Sequence, residues 1–306
     1  MKHPFNMSKY TISQVNILDN LLALGAERPY GTSKEQGILL DHIKKSIGSH
    51  FFDWKGNKVY FSKGLLKLNS SCQVSFLADL EKVGERYSIP AVVGTVVHKA
   101  IQIAYTHPNK NSQGLVLEAI KASRISDQKL DEWYSVQEIG IQSEIISLAS
   151  SKFLSFQDDW PVLDPSWNPR FEEPLVSKFS DFTLSARPDL ILGRPHTDFK
   201  RTMVVVDFKT GQLRDDHRDE ALFYALVSTL RYGVMPWRSL VYSLSSGDWT
   251  EPDFSIDDLI AVSDKVVNSL KLYKNLLGDN TEPIFVPGEQ CNWCSLNKTC
   301  TSKLVK

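Results

Sequence analysis

The stretch "MVVVDFKTGQ", residues 203–212, decides how the rest of the chain is read. Met203 to Val206 form an apolar run rich in β-branched residues, the pattern of a strand buried on both faces of a sheet. The run then ends in Asp207, Phe208 and Lys209, with Gly211 close behind. Taking a carboxylate or an ammonium out of water is costly unless the charge is paired or holds a metal. Asp207 and Lys209 stand two apart, so on a strand both side chains emerge on one face. A core strand ending this way is closed by a salt bridge or carries a site.

Asp189 gives the second reading weight. It interrupts the apolar approach of the preceding strand, in "SARPDLIL". If the two strands are neighbours, two carboxylates and one ammonium converge. Two close carboxylates resist ionising together, and a divalent cation relieves that repulsion. All-oxygen ligation of this kind suits Mg²⁺ or Mn²⁺. Lys209 would then face the anion that such a metal binds, most naturally a phosphate.

Around this centre the chain alternates strand and helix signals. "EPLVSKF" and "DFTLSARPDLILG" read as strands with a turn at Ser180-Asp181, and "RSLVYSLSSGDW" as another. "RDEALFYALVSTLRYG" reads as an amphipathic helix closed by Gly233, and "SIDDLIAVSDKVVNSLKLYKNLLG" as a long helix capped by Ser255. Upstream, helices are expected in "SCQVSFLADLEKVG", in "AVVGTVVHKAIQIAYTH" and over about 127–156. The first 67 residues are mixed: two helical stretches, "SQVNILDNLLALG" and "YGTSKEQGILLDHIKKSIGSH", then a hairpin over "FDWKGNKVYFSKG" with Gly-Asn as its turn. The expected organisation is an N-terminal region of unassigned role over 1–67 and one domain over 68–306.

The totals narrow the class. A chain of 306 residues with 42% hydrophobic residues builds a full core. No apolar run approaches the ~20 residues that cross a bilayer, and "MKHPFNMSKY" lacks the apolar stretch of a signal peptide. The expectation is a soluble, cytoplasmic protein without a membrane partner. A net charge of −1 excludes a broadly basic coat but not a local basic groove. Arg187, Lys200, Arg201, Arg214, His217 and Arg218 crowd near the expected site, with acids between them.

Four cysteines occur, and three of them, Cys291, Cys294 and Cys300, fall within ten residues. Thiolates at this spacing suit Zn²⁺ or an iron–sulfur cluster. With Cys72 they make one four-ligand set that would tie the two ends of the domain together.

In this order "Pro188-Asp189 … Asp207-Phe208-Lys209" resembles the signature of the PD-(D/E)XK nuclease superfamily, and "DFKTG" resembles its RecB-type branch. Gly94 and His98 in "GTVVHKA" resemble the branch's N-terminal helical motif, and "EALFY", Glu220 to Tyr224, resembles its Gln-x-x-x-Tyr helix. The cysteines resemble the iron–sulfur subgroup, which includes CRISPR-adaptation nucleases and the nuclease domain of AddB-type helicase subunits. The resemblance covers about residues 70–300. It implies a restriction-endonuclease-like α/β core, a central mixed sheet flanked by helices with a C-terminal cysteine-rich staple. It implies a Mg²⁺- or Mn²⁺-dependent deoxyribonuclease, an exonuclease of DNA recombination, repair or defence, leaving a 5′-phosphate and a 3′-hydroxyl. His98, Asp189, Asp207 and the Phe208 carbonyl would hold the metal, and Lys209 would orient the attacking water. Cys72, Cys291, Cys294 and Cys300 would hold a cluster, 4Fe–4S rather than zinc. Partners would be DNA, single-stranded or with free ends, and a helicase or other recombination protein.

Three residues carry alternatives. A lone histidine in an apolar helix, such as His98, is commonly a satisfied core residue. Glu220 stands where the branch has glutamine, and an ionised glutamate cannot donate a hydrogen bond; it accepts one from Lys209 or approaches the metal. Trp293 either stacks on a base or packs around the cluster. The alternative to an enzyme is a catalytically silent nucleic-acid-binding protein that retains the fold.

Overall fold

The computed structural model describes residues 9–23, 25–47, 59–69, 71–80, 87–107, 110–180, 182–197, 199–278, 281–288, 291–292 and 294–300. Helix α1 (Ile12–Asn16) runs into a π-helical turn, and α2 (Lys34–Ile47) follows. Strand β1 (Val59–Phe61) leads into the short α3 (Lys63–Leu66) and then α4 (Gln73–Leu80). A helical layer comes next: α5 (Ile89–Thr106), α6 (Ser112–Ser126), α7 (Gln128–Ser135) and α8 (Ile139–Asp159). The strands are β2 (Arg170–Phe171), β3 (Leu175–Lys178), β4 (Phe182–Ala186), β5 (Leu190–Leu192), β6 (His196–Thr197), β7 (Lys200–Arg201) and β8 (Val204–Lys209). The chain closes with α9 (Asp216–Tyr232), β9 (Arg238–Ser243) and α10 (Ile256–Gly278).

The expected α/β class holds, but the strands divide between sheets. Four of them order as β2-β5-β8-β9, with β8 parallel to β9 and antiparallel to β5. A second, three-stranded sheet orders as β1-β4-β3, and β6 and β7 pair on their own. The hairpin expected over 52–64 has its first arm and its turn outside the described residues; its second arm, β1, pairs parallel with β4. Asp181 of the expected turn also lies outside them.

Strand β8 is buried on both faces, as its apolar run predicts. Val204, Val206 and Phe208 join one core with α5, α6 and α8, and Val205 joins another with α2, α9 and α10. Helix α9 departs from expectation. It is not amphipathic in its surroundings: every residue from Glu220 to Leu230 is buried. It packs against β3, β4, β8 and β9 on one side and against α2 and α10 on the other. A helix buried all round loses its polar face, which is why Ser228 and Thr229 are fully covered. Its C-terminus is closed by Gly233 at φ +81°, where the N–H meets the Thr229 carbonyl at 2.8 Å.

The stretch expected as one helix over 127–156 is two, broken between Ser135 and Ile139. Helix α6 is an addition to the sequence reading. Its start was signalled by Asn111, whose side chain accepts the Gly114 N–H at 2.7 Å.

Candidate active site

The pairing of β5 with β8 stops at Leu190↔Val206, whereas β9 follows β8 to Lys209↔Ser243. The last three residues of β8 therefore lack a neighbouring strand on one side. Asp189 fills the place of that strand: its Oδ2 accepts the Phe208 N–H at 2.6 Å. The ladder bond that β5 cannot supply comes from a carboxylate, which fixes Asp189 beside Asp207. The ring of Phe208 is anchored edge-on against Trp160, Phe156 and Tyr242.

His98 reaches the same point from α5, with Nδ1 3.2 Å from Asp189 Oδ1. Burial opposes charge on this imidazole, but Asp189 and Asp207 outweigh it and raise its pKa. Of the two readings of His98, the structure therefore puts it on the carboxylates. Gly94, one turn earlier, faces the side chain of Thr210: a Cβ there would stand 3.4 Å from Oγ1. The close approach at this position is made by a hydroxyl.

Asp207 is 2% exposed, and each of its oxygens is claimed. Oδ1 accepts the Tyr224 hydroxyl at 2.7 Å and lies 3.0 Å from Lys63 Nζ; Oδ2 lies 2.6 Å from Lys209 Nζ. Burial alone would raise the Asp207 pKa. Lys63 and Lys209 overcome it and hold the carboxyl well below the usual carboxylate range. The ammonium of Lys209 is stabilised in turn, its pKa raised against burial by Asp207 and Glu220. Burial, and then Asp207, push the Tyr224 hydroxyl well above its ordinary value, so it stays a donor.

Glu220 gathers cations: Lys209 at 2.9 Å, Lys67 at 2.9 Å and Lys63 at 3.4 Å. Burial works against its charge, and the lysines prevail, holding its pKa down at about 2. The question left by the sequence at this position is answered in part. Glu220 is the ionised ion-pair partner of Lys209.

Sequence reasoning missed two residues here. Lys63 stands two residues after the apolar Val59-Tyr60-Phe61, and nothing in that local pattern marks it as part of a site. Glu172 was not signalled, since "RFEEP" reads as an ordinary loop. Glu172 sits in the left-handed region at φ +51° and donates its N–H to the Asp189 carbonyl at 3.3 Å. Burial first, and then Asp189 in contact with it, raise its carboxyl pKa. A cleft of about 550 Å³ opens at this centre, lined by Lys63, Gly94, His98, Arg187, Asp189, Asp207, Lys209 and Tyr224 among others. The other basic residues that crowd near the expected site are engaged elsewhere. Arg201 pairs with Glu35, Arg214 with Asp216, and Lys200 lies over Tyr30; Arg218 donates to the Glu251 and Asp253 carbonyls, and His217 is buried.

The family model of the PD-(D/E)XK nuclease superfamily matches residues 61–301. The chain belongs to the PD-(D/E)XK nuclease superfamily. Membership supports a nuclease that hydrolyses nucleic-acid phosphodiesters. No curated protein matches the chain in sequence. Among solved structures, one titled "Crystal structure of SSO0001" is 12% identical, with a TM-score of 0.30 over 79% of this chain and 96% of that one.

The cysteines form a second locus. All four line one small space of about 20 Å³, together with Ser75 and Leu296. The Gly288 N–H points to Cys291 Sγ at 3.5 Å and the Leu296 N–H to Cys294 Sγ at 3.4 Å. Trp293 lies outside the described residues. Among the described residues, no three histidine, cysteine or acidic side chains are drawn together closely enough to hold a metal ion as they stand. The donor chemistry of both loci nonetheless fits metals. In the cleft, buried Asp207 Oδ2 and Glu220 Oε2 have ion-pair partners but no well-directed hydrogen bond. No described helix is long and apolar enough to cross a membrane.

Proposed function

We propose that the protein is a divalent-metal-dependent deoxyribonuclease, acting as an exonuclease on DNA ends in recombination, repair or defence. The carrying observation is the convergence of His98, Asp189, Asp207 and Lys209 on one cleft from α5, the start of β5 and the end of β8. His98, Asp189, Asp207 and the Phe208 carbonyl are the proposed holders of Mg²⁺ or Mn²⁺. When bound there, the cation would polarise a phosphate and acidify a water. Lys209, kept protonated by Asp207 and Glu220, orients the attacking water and offsets charge that develops on the phosphate. Tyr224 holds Asp207 in place. The RecB-type branch, and a four-cysteine iron–sulfur centre at Cys72, Cys291, Cys294 and Cys300, are supported by the order of motifs and by the shared space that the cysteines line. A helicase partner follows from the same branch.

The test is digestion of end-labelled single- and double-stranded DNA by anaerobically purified protein with Mg²⁺ or Mn²⁺. Release of 5′-phosphorylated mononucleotides from ends is expected, and it should vanish in Asp189→Ala and Asp207→Ala while DNA binding persists. Cleavage retained by either variant overturns the site. Binding by the wild type with no cleavage under either metal supports the silent nucleic-acid-binding reading instead.

A further inference from the structure

Lys63 is not part of the sequence signature, yet it stands inside the cleft. It opens α3 immediately after β1, whose parallel pairing with β4 carries the chain across the second sheet to the end of β8. Its ammonium lies 3.0 Å from Asp207 Oδ1 and 3.4 Å from Glu220 Oε2, the same two carboxylates that Lys209 bridges. The two lysines differ in access. Lys63 is 35% exposed at the cleft lining, and the carboxylates beneath it are 3% exposed. Glu220 is already served by Lys67 and Lys209, and Asp207 by Tyr224 and Lys209. Neither acid depends on Lys63 for a partner. Its charge lines the cleft, and a ligand there can take it while each carboxylate keeps another partner.

We propose that Lys63 is a second phosphate-binding lysine of the active site, held over Asp207 and Glu220 until a backbone phosphate of the nucleic acid engages it. The inference rests on the nuclease reading and adds a substrate contact to it. A long flexible side chain with a compact charge is suited to such an exchange. Lys67 is the comparison within the molecule. It also pairs with Glu220, at 2.9 Å, and with Asp216 at 3.0 Å, but it stands outside the lining of the cleft.

The experiment is fluorescence anisotropy of a labelled phosphorothioate single strand, which resists hydrolysis, titrated in Mn²⁺ at several salt concentrations. Wild type, Lys63→Met, Lys63→Arg and Lys67→Met are compared, each with its melting temperature. Losing one phosphate contact should lower the slope of log affinity against log salt by about 0.7 for a single strand. It should weaken binding alike across sequences. The expected result is that drop in Lys63→Met alone, with the slope restored in Lys63→Arg. An unchanged slope in Lys63→Met, whether or not its melting temperature falls, overturns the proposal and leaves Lys63 a structural counter-ion. The same drop in Lys67→Met overturns it too, because the effect would then come from Glu220. Metal-dependent cleavage by the wild type, scored in parallel, judges the nuclease reading separately.

Discussion

At the scale of single residues, the site is a set of buried charges that hold one another ionised. Lys209 keeps its proton because Asp207 and Glu220 flank it, and the acids stay ionised because lysines do. Lys209→Ala should therefore lower turnover by about 10²–10³, the loss that follows removal of one transition-state donor. Single-turnover cleavage measures this, with circular dichroism to show that the fold persists. Glu220 makes a prediction about pH. Its folded pKa of about 2 lies below the ordinary 4.5. Its contribution to stability is complete above about pH 4.5 and is lost as pH falls toward 2. Glu220→Gln keeps the shape and removes the charge, so it should cost about 1.5–3 kcal/mol at neutral pH. That difference from wild type should shrink steadily between pH 4.5 and 2. Urea unfolding at a series of pH values checks it; a difference that does not change with pH would mean the lysines do not depend on Glu220.

At the scale of elements, legibility followed locality. Strand β8 was readable because a run of β-branched residues ending in alternating charges is written in adjacent positions. Helices α5, α9 and α10 were readable from apolar spacing and from end signals such as Gly233. Lys63 and Glu172 were not readable as site residues. One reaches the cleft through the parallel pairing of β1 with β4, more than 120 residues apart in the chain. The other depends on a positive φ that a glutamate does not announce. The burial of α9 on every side was hidden for a like reason, since nothing local shows that helices and sheets enclose it. Helix α5 offers an element-scale test. It delivers His98 to Asp189, and Gly94 one turn earlier lines the same cleft. Gly94→Ala should stabilise α5 by about 0.5–1 kcal/mol from helix propensity, since its Cβ meets Thr210 Oγ1 at a tolerable 3.4 Å. Gly94→Leu should keep a similar melting temperature and lose nucleic-acid affinity, because the longer chain projects into the cleft. Equal DNA affinity in the two variants would show that α5 lines a space the substrate does not enter.

At the scale of the whole molecule, the two ends of the matched region meet. The Gln73 N–H donates to the Ile284 carbonyl at 3.1 Å, and the Ile284 N–H returns a bond to Gln73 Oε1 at 2.9 Å. This pair joins α4 to the segment after α10 and brings Cys72 into the space shared with Cys291, Cys294 and Cys300. Closing so long a loop removes much freedom from the unfolded chain, so a metal centre there would act as a staple. Cys72 and Cys294 are separated by more than 200 residues but should behave as one unit. Cys72→Ala and Cys294→Ala should each lose bound iron, the brown colour and absorbance near 400 nm, and should melt at lower temperature with Asp189 and Asp207 untouched. A buried free cysteine is only a small apolar residue, and its replacement by alanine would cost far less. Iron and sulfide analysis of anaerobically purified protein decides between the two. If Cys72→Ala keeps its full cluster while Cys294→Ala loses it, Cys72 is a core residue and the bonds of Gln73 with Ile284 close the loop alone. If the wild type carries zinc and no iron, the four-cysteine staple stands and the iron–sulfur assignment falls.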